Sequence, residues 1–161
     1  MATSDEHQRL VAMCARWFKR QGFAIVATEL ASYGNREQPD VYACRQTCSA
    51  VAEIKVSRAD FLADSKKPER HSGGLGTYRF YLCPEGLISP SELPARWGLL
   101  YAKGRSIISI HAPGGNMWPG PGPGRQDENW RPFAHETDHE AERAALFSIA
   151  RRLASGQQTY K

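Results

Sequence analysis

Near the start of the chain, Leu10, Met13, Cys14 and Trp17 recur at helical spacing and form one apolar stripe. The stripe predicts a helix from about Ser4 to Gln21, opened by Thr3 and Glu6 as a capping box and stopped at Gly22. The pattern then changes to short apolar runs. Phe23 to Leu30, Asp40 to Cys44 and Ala50 to Val56 read as three strands, with a polar turn from Ser32 to Gln38 between the first two. Ser57 and Asp60 open a helix of one or two turns through Asp64. A basic, glycine-containing loop, Ser65 to Thr77, leads to an aromatic-rich strand, Tyr78 to Cys83. Trp97 to Ala102 and Arg105 to His111 read as a hairpin turning at Lys103-Gly104. Pro113 to Pro132 contains GGNMWPGPGPG, which predicts no regular structure. A last helix, about Asp138 to Ala154, carries Leu146, Ile149, Ala150 and Leu153 on one face. The order predicts a mixed α/β sandwich with a central sheet. Its parts are a core at residues 1–112, a Pro/Gly-rich linker at 113–132 and a helical segment at 133–161 that packs on the core or on a partner.

Three charged residues interrupt this pattern where a strand should be apolar. Asp40 follows Pro39 at the start of the second strand, and Glu53 and Lys55 lie inside the third. Strand side chains alternate, so Glu53 and Lys55 share a face with Val51. A carboxylate and an ammonium there are costly unless paired or bound to a metal. Two carboxylates brought together repel, and a divalent cation removes the repulsion. Mg²⁺ uses one or two carboxylates, with water and substrate phosphate completing its shell. With a lysine beside it, that is a minimal kit for phosphodiester hydrolysis. The plainer alternative is a structural Glu53–Lys55 pair at a strand end, with Asp40 as a turn residue.

Composition narrows the classes without choosing among them. The chain has 161 residues, 41% hydrophobic and 24% charged, enough for one packed domain. No stretch is long and apolar enough to span a membrane, and the N-terminus carries no signal-peptide pattern, so a cytoplasmic protein with reduced thiols is expected. Cys44 and Cys48 lack the second close pair a zinc site would need. The formal charge of +4 allows an acidic partner. Lys55, Arg58, Lys66, Lys67, Arg70 and Arg79 outnumber Asp60, Asp64 and Glu69 directly after the strand motif. With His71 and three glycines, this loop is a candidate phosphate-gripping surface or an ordinary solvated face.

Pro39-Asp40 followed by Glu53-Ile54-Lys55 resembles the PD-(D/E)XK nuclease motif. Val51 to Asp64 (VAEIKVSRADFLAD) is similar to the MmcB-like DNA-repair nucleases and related phage proteins, and the likeness continues through Tyr81 to Gly86 and Trp97 to Leu100. The resemblance implies a restriction-endonuclease-like core, a central mixed sheet flanked by helices. It implies Mg²⁺ or Mn²⁺ as cofactor, held by Asp40, Glu53 and the main-chain carbonyl of Ile54. It implies Lys55 as the residue that positions the attacking water and stabilises developing charge. Relatives add a glutamate from the first helix. Glu6 is the candidate, lying on the apolar stripe, with Glu29 and Glu37 as weaker ones; equally, Glu6 is only a capping residue. Arg58, Lys66, Lys67, Arg70, His71 and Arg79 are the candidate DNA contacts, and Ser57, Arg58 and Asp60 are open to a supporting role around the motif. DNA is the implied partner, its structure preferred over its sequence, and a homodimer is left open. The alternative is an inactive DNA- or protein-binding module on the same fold.

His135-Glu136-Thr137-Asp138-His139 literally matches HExxH, the zinc-protease signature. Thr137 and Glu140 predict a helix that starts after His135, so the two histidines do not share one helical face, and no third ligand follows. His135 and His139 are expected to face solvent or an interface.

Overall fold

The computed structural model describes residues 4–30, 38–70, 73–114 and 128–161. The elements run α1 (Asp5–Arg20), β1 (Ile25–Thr28), β2 (Val41–Cys44), β3 (Ser49–Ile54), α2 (Arg58–Asp64), β4 (Tyr78–Pro84), β5 (Trp97–Lys103), β6 (Ser106–His111) and α3 (His139–Ala154). The strands form one mixed six-stranded sheet in chain order. β1, β2 and β3 are antiparallel neighbours, β3–β4 and β4–β5 are parallel, and β6 returns antiparallel to β5. Parallel neighbours need crossovers. The first of them contains α2.

The first helix begins one residue later than its pattern suggested. Ser4 is its N-cap, and its side chain accepts from the His7 amide at 3.2 Å. Thr3 lies outside the described residues. At the other end, the Phe23 amide donates to the Phe18 carbonyl at 3.1 Å and the Gly22 amide to the Lys19 carbonyl at 3.0 Å. This crossed pair requires the left-handed φ of +88° that Gly22 adopts. Phe18 and Phe23 close the motif edge to face, 5.2 Å between centroids.

α1 packs on one sheet face through Leu10, Cys14 and Phe18, against Val41, Ala43, Ala52, Ile54, Phe80 and Leu82. The opposite face has two parts. Tyr42, Val51 and Leu75 receive Ala145 and Ile149 of α3. Tyr81, Cys83, Leu99 and Trp97 receive Phe61 of α2. β3 is buried along its whole length, as is β4 up to Cys83, which explains their continuous apolar runs. Gly98 is required by the neighbouring strand: a Cβ there would lie 2.4 Å from Phe80 Cδ1.

The C-terminal part differs from its sequence pattern in two ways. The segment read as a linker re-enters the core before its end, where Trp130 is buried edge to face on Tyr78 at 4.6 Å. The Pro/Gly stretch itself, residues 115–127, lies outside the described residues, as does the 31–37 turn. α3 is capped by Asp138, not Thr137, and it buries Ala145, Ser148 and Ile149 while Leu146 and Leu153 stay exposed. The rotation follows from Glu142. Its carboxylate accepts from the Tyr42 hydroxyl at 2.5 Å, the Ser49 hydroxyl at 2.6 Å and the Gly76 amide at 2.8 Å. Glu142→Ala should therefore cost about 2–4 kcal/mol, because it strands three donors. Urea denaturation and amide exchange along α3 check this. Unchanged protection of α3 would mean that its apolar contacts alone hold it. Among the described residues no helix is long and apolar enough to cross a membrane.

Candidate active site

The antiparallel register of β2 and β3 pairs Val41 with Ala52. One residue further back, it places Asp40 across from Glu53, so the motif's two carboxylates meet at the end of two central strands. Asp40 is fixed there by the Ile54 amide, which donates to its Oδ2 at 2.8 Å. A residue's N–H and C=O leave a strand on the same side. The Ile54 carbonyl therefore also faces the Asp40 edge. The structure thus brings Asp40, Glu53, Ile54 and Lys55 together.

Glu53 is almost fully buried, 5% exposed. Its nearest cations are Arg70 Nη2 at 3.3 Å and Lys55 Nζ at 3.7 Å. Burial, reinforced by the Asp40 charge, pushes the Glu53 carboxyl up to about 8 despite Arg70 and Lys55. Ionising Glu53 is thus costly here, beside a second carboxylate, and without a cation it keeps its proton near neutrality.

Two residues of this site escaped sequence reading. The first is Asp64. It is 2% exposed, accepts from Arg70 Nε at 2.8 Å, Arg70 Nη2 at 2.7 Å and the Tyr81 hydroxyl at 2.7 Å, and lies 3.2 Å from Lys55 Nζ. Although burial opposes it, the Arg70 hydrogen bonds, with the charges of Lys55 and Arg70, hold its carboxyl well below the ordinary range. A signal was present: Asp64 follows Phe61 by three residues, on the same helical face. The second is His7, whose Nε2 stands 3.4 Å from Asp40 Oδ1.

His7, not Glu6, is the first-helix side chain in contact with Asp40. Glu6 is exposed and pairs with Arg9 Nε and Nη2, both at 2.9 Å, away from the site. The deepest line of α1 runs through Leu10, Cys14 and Phe18, all 0% exposed, and His7 continues it; Glu6 extends the flanking line of Met13 and Trp17. Among the weaker candidates, Glu29 lines a pocket of about 150 Å³ with His7 and Asp40, and Glu37 lies outside the described residues.

The basic surface also needs correction. Arg70 is 2% exposed, bound to Asp64 and Glu53 and stacked 5.3 Å over Trp97. Arg79 is 1% exposed and donates to the Gly76 carbonyl at 2.9 Å and to the Gly73 carbonyl. A buried guanidinium needs such partners, and neither of these is a surface grip. Arg58 is exposed, but Glu92 engages it bidentately at 2.8 and 2.6 Å. Ser57 caps α2, accepting from the Asp60 amide at 3.2 Å. Lys66 and Lys67 remain on the surface, Lys67 3.1 Å from Asp64. His71 lies outside the described residues.

His135 does not reach the protease geometry, since it precedes the α3 cap at Asp138. Nor does it face solvent: it is half-buried, edge-on to Trp97 at 6.1 Å, and burial lowers its pKa to about 4.

Among the described residues no group of three or more His, Cys, Asp or Glu side chains is spaced to hold a metal ion. Two carboxylates and a main-chain carbonyl are the protein ligands available at Asp40 and Glu53.

No protein-family model matches the chain, and no curated protein matches it. Among solved structures it is similar to a protein of unknown function from Silicibacter pomeroyi, at 21% identity and a TM-score of 0.62. The match covers 96% of this chain and 90% of that one, a likeness of fold alone.

Proposed function

We propose that the chain is a metal-dependent nuclease of the PD-(D/E)XK type, with a restriction-endonuclease-like core, that hydrolyses phosphodiester bonds in DNA. The observation that carries this reading is the convergence of Asp40, Glu53, the Ile54 carbonyl side and Lys55 at one end of the central strands. Support also comes from the mixed sheet with helices on both faces.

The residues suit a hard divalent cation such as Mg²⁺ or Mn²⁺. Their donors are oxygens, and Mg²⁺ needs only one or two carboxylates from the protein. The desolvated Glu53 beside Asp40 resists ionisation, and a cation would relieve that cost. Asp40, Glu53 and the Ile54 carbonyl would hold it. Bound there, it would supply Lewis acidity and lower the pKa of a water. Lys55 would meet the charge that develops on the phosphate. His7 would orient Asp40 through its 3.4 Å contact.

One observation favours the inactive binding module instead. Glu53 already has Arg70 and Lys55 as internal counter-ions, which a purely structural cluster would also need. A cleavage panel separates the two: single-stranded, duplex and branched DNA with RNA controls, in Mg²⁺, Mn²⁺ and chelator. Metal-dependent products support the nuclease; their absence with every substrate removes it.

DNA contact then falls to the exposed lysines. Lys66→Ala/Lys67→Ala should weaken binding and lower the salt slope by about 1 per lost phosphate contact. Anisotropy titrations between about 50 and 200 mM salt read this slope. An unchanged slope would take the basic loop out of the interface.

A further inference from the structure

We propose that Asp64 is a positioning residue that keeps the Lys55 ammonium at the site when Glu53 is committed to a cation. The proposal deepens the metal-dependent reading and rests on it.

Two carboxyl groups and two cations close into a ring. Lys55 Nζ lies 3.2 Å from Asp64 Oδ1 and 3.7 Å from Glu53 Oε2. Arg70 Nη2 lies 2.7 Å from Asp64 Oδ1 and 3.3 Å from Glu53 Oε1. Each cation bridges the same two carboxylates, but the halves differ. Only the Asp64 oxygen is near enough to Lys55 for a hydrogen bond; the Glu53 contact is a looser ion pair.

Asp64 is also the immobile partner. Arg70 holds it with two nitrogens, Tyr81 with its hydroxyl, and Lys67 from outside. Tyr81 is itself stacked on Trp97 at 4.5 Å, and Trp97 Nε1 donates to the Arg70 carbonyl at 3.0 Å. α2 delivers Asp64 to this spot: Ser57 caps its start, and Phe61, edge to face with Tyr81 at 5.2 Å, fixes its rotation.

A cation shared by Asp40 and Glu53 would draw Glu53 away from Lys55 and repel the ammonium. Asp64 is held by Arg70, Tyr81 and Lys67 and keeps its charge for Lys55. Without it, the lysine has no second anchor once the metal arrives.

The test uses the full chain with ¹⁵N-labelled lysine. In wild type, the Lys55 ammonium should show a high order parameter with and without Mg²⁺. In Asp64→Asn it should become mobile, most strongly with Mg²⁺. Turnover should fall by about 10²-fold with KM and Mg²⁺ affinity near wild type. In a Lys55→Ala background, Asp64→Asn should add no further loss. Because Asp64→Asn removes the closer of Arg70's two carboxylate partners and threatens folding, Asp64→Asn/Arg70→Gln is run in parallel. An equally ordered Lys55 in either folded variant overturns the proposal, as does additive loss with Lys55→Ala. Wild type that neither binds Mg²⁺ nor cleaves removes the nuclease reading instead, and the metal-free order parameter still decides whether Asp64 holds Lys55.

Discussion

Glu53→Gln is expected to lower Mg²⁺-dependent cleavage by at least about 10²–10³-fold, the scale of losing one preorganised charge at a reacting centre. The glutamine keeps the shape and an acceptor for Arg70, so the fold should survive. The same variant should change how stability responds to pH. The folded-state pKa of Glu53, about 8, stands above the unfolded value. The folded protein therefore holds a proton that the unfolded chain has lost between about pH 4.3 and that value. Metal-free wild type should lose stability through this group as pH rises across the window, the reverse of a salt-bridged carboxylate. Glu53→Gln should flatten that slope, and Mg²⁺ should restore wild type at pH 8 by replacing the proton. Thermal unfolding at pH 5 and pH 8, with and without Mg²⁺, measures all three. Retained cleavage in Glu53→Gln, or wild type and variant falling in parallel, would remove Glu53 from the proposed chemistry.

The motif was legible because a strand reports its own faces. Glu53 and Lys55 sit two apart in an otherwise apolar run, and Pro39-Asp40 precedes a strand that must pair with it. Alternation and antiparallel pairing were then enough to bring Asp40 opposite Glu53. Element order was legible for the same reason, with boundaries off by one or two residues where caps compete: Ser4 against Thr3, and Asp138 against Thr137.

What stayed hidden depended on partners far away in the chain. Arg70 reads as surface charge because loop composition gives no sign of burial, and Arg79 because it is counted with that loop although it lies in β4. Their burial is set by Asp64 and Glu53 in one case and by the Gly73 and Gly76 carbonyls in the other. The face of α3 is read from Leu146, Ile149, Ala150 and Leu153 alone, whereas Tyr42, Ser49 and Gly76 draw Glu142 inward. Glu6 and His7 are adjacent in sequence, and a stripe of four apolar residues could not say which of its two edges faced the sheet.

Arg70→Met should be among the most destabilising changes in the chain, and it should leave the salt dependence of DNA binding unaltered. The guanidinium is 2% exposed and completes the ring with Asp64 and Glu53. Removing one member of a buried pair leaves a charge uncompensated and costs about 3–5 kcal/mol. At roughly 2–4 °C per kcal/mol for a chain of this size, Tm should fall by about 6–20 °C. Asp64 sets the acid limit of the same cluster. Its depressed pKa contributes stability above the unfolded carboxylate range and loses it as pH falls below about 3.9, so the variant's deficit should shrink in acid. Replacing both partners, Asp64→Leu with Arg70→Met, should recover much of the loss, because paired apolar side chains avoid the desolvation that an orphaned carboxylate suffers. Differential scanning calorimetry and urea titration give the stabilities, and anisotropy titrations give the salt slope. A variant with wild-type Tm but a shallower slope would return Arg70 to the surface and to DNA. A variant with lost stability and an intact slope makes it the counter-ion around which Glu53, Lys55 and Asp64 are arranged.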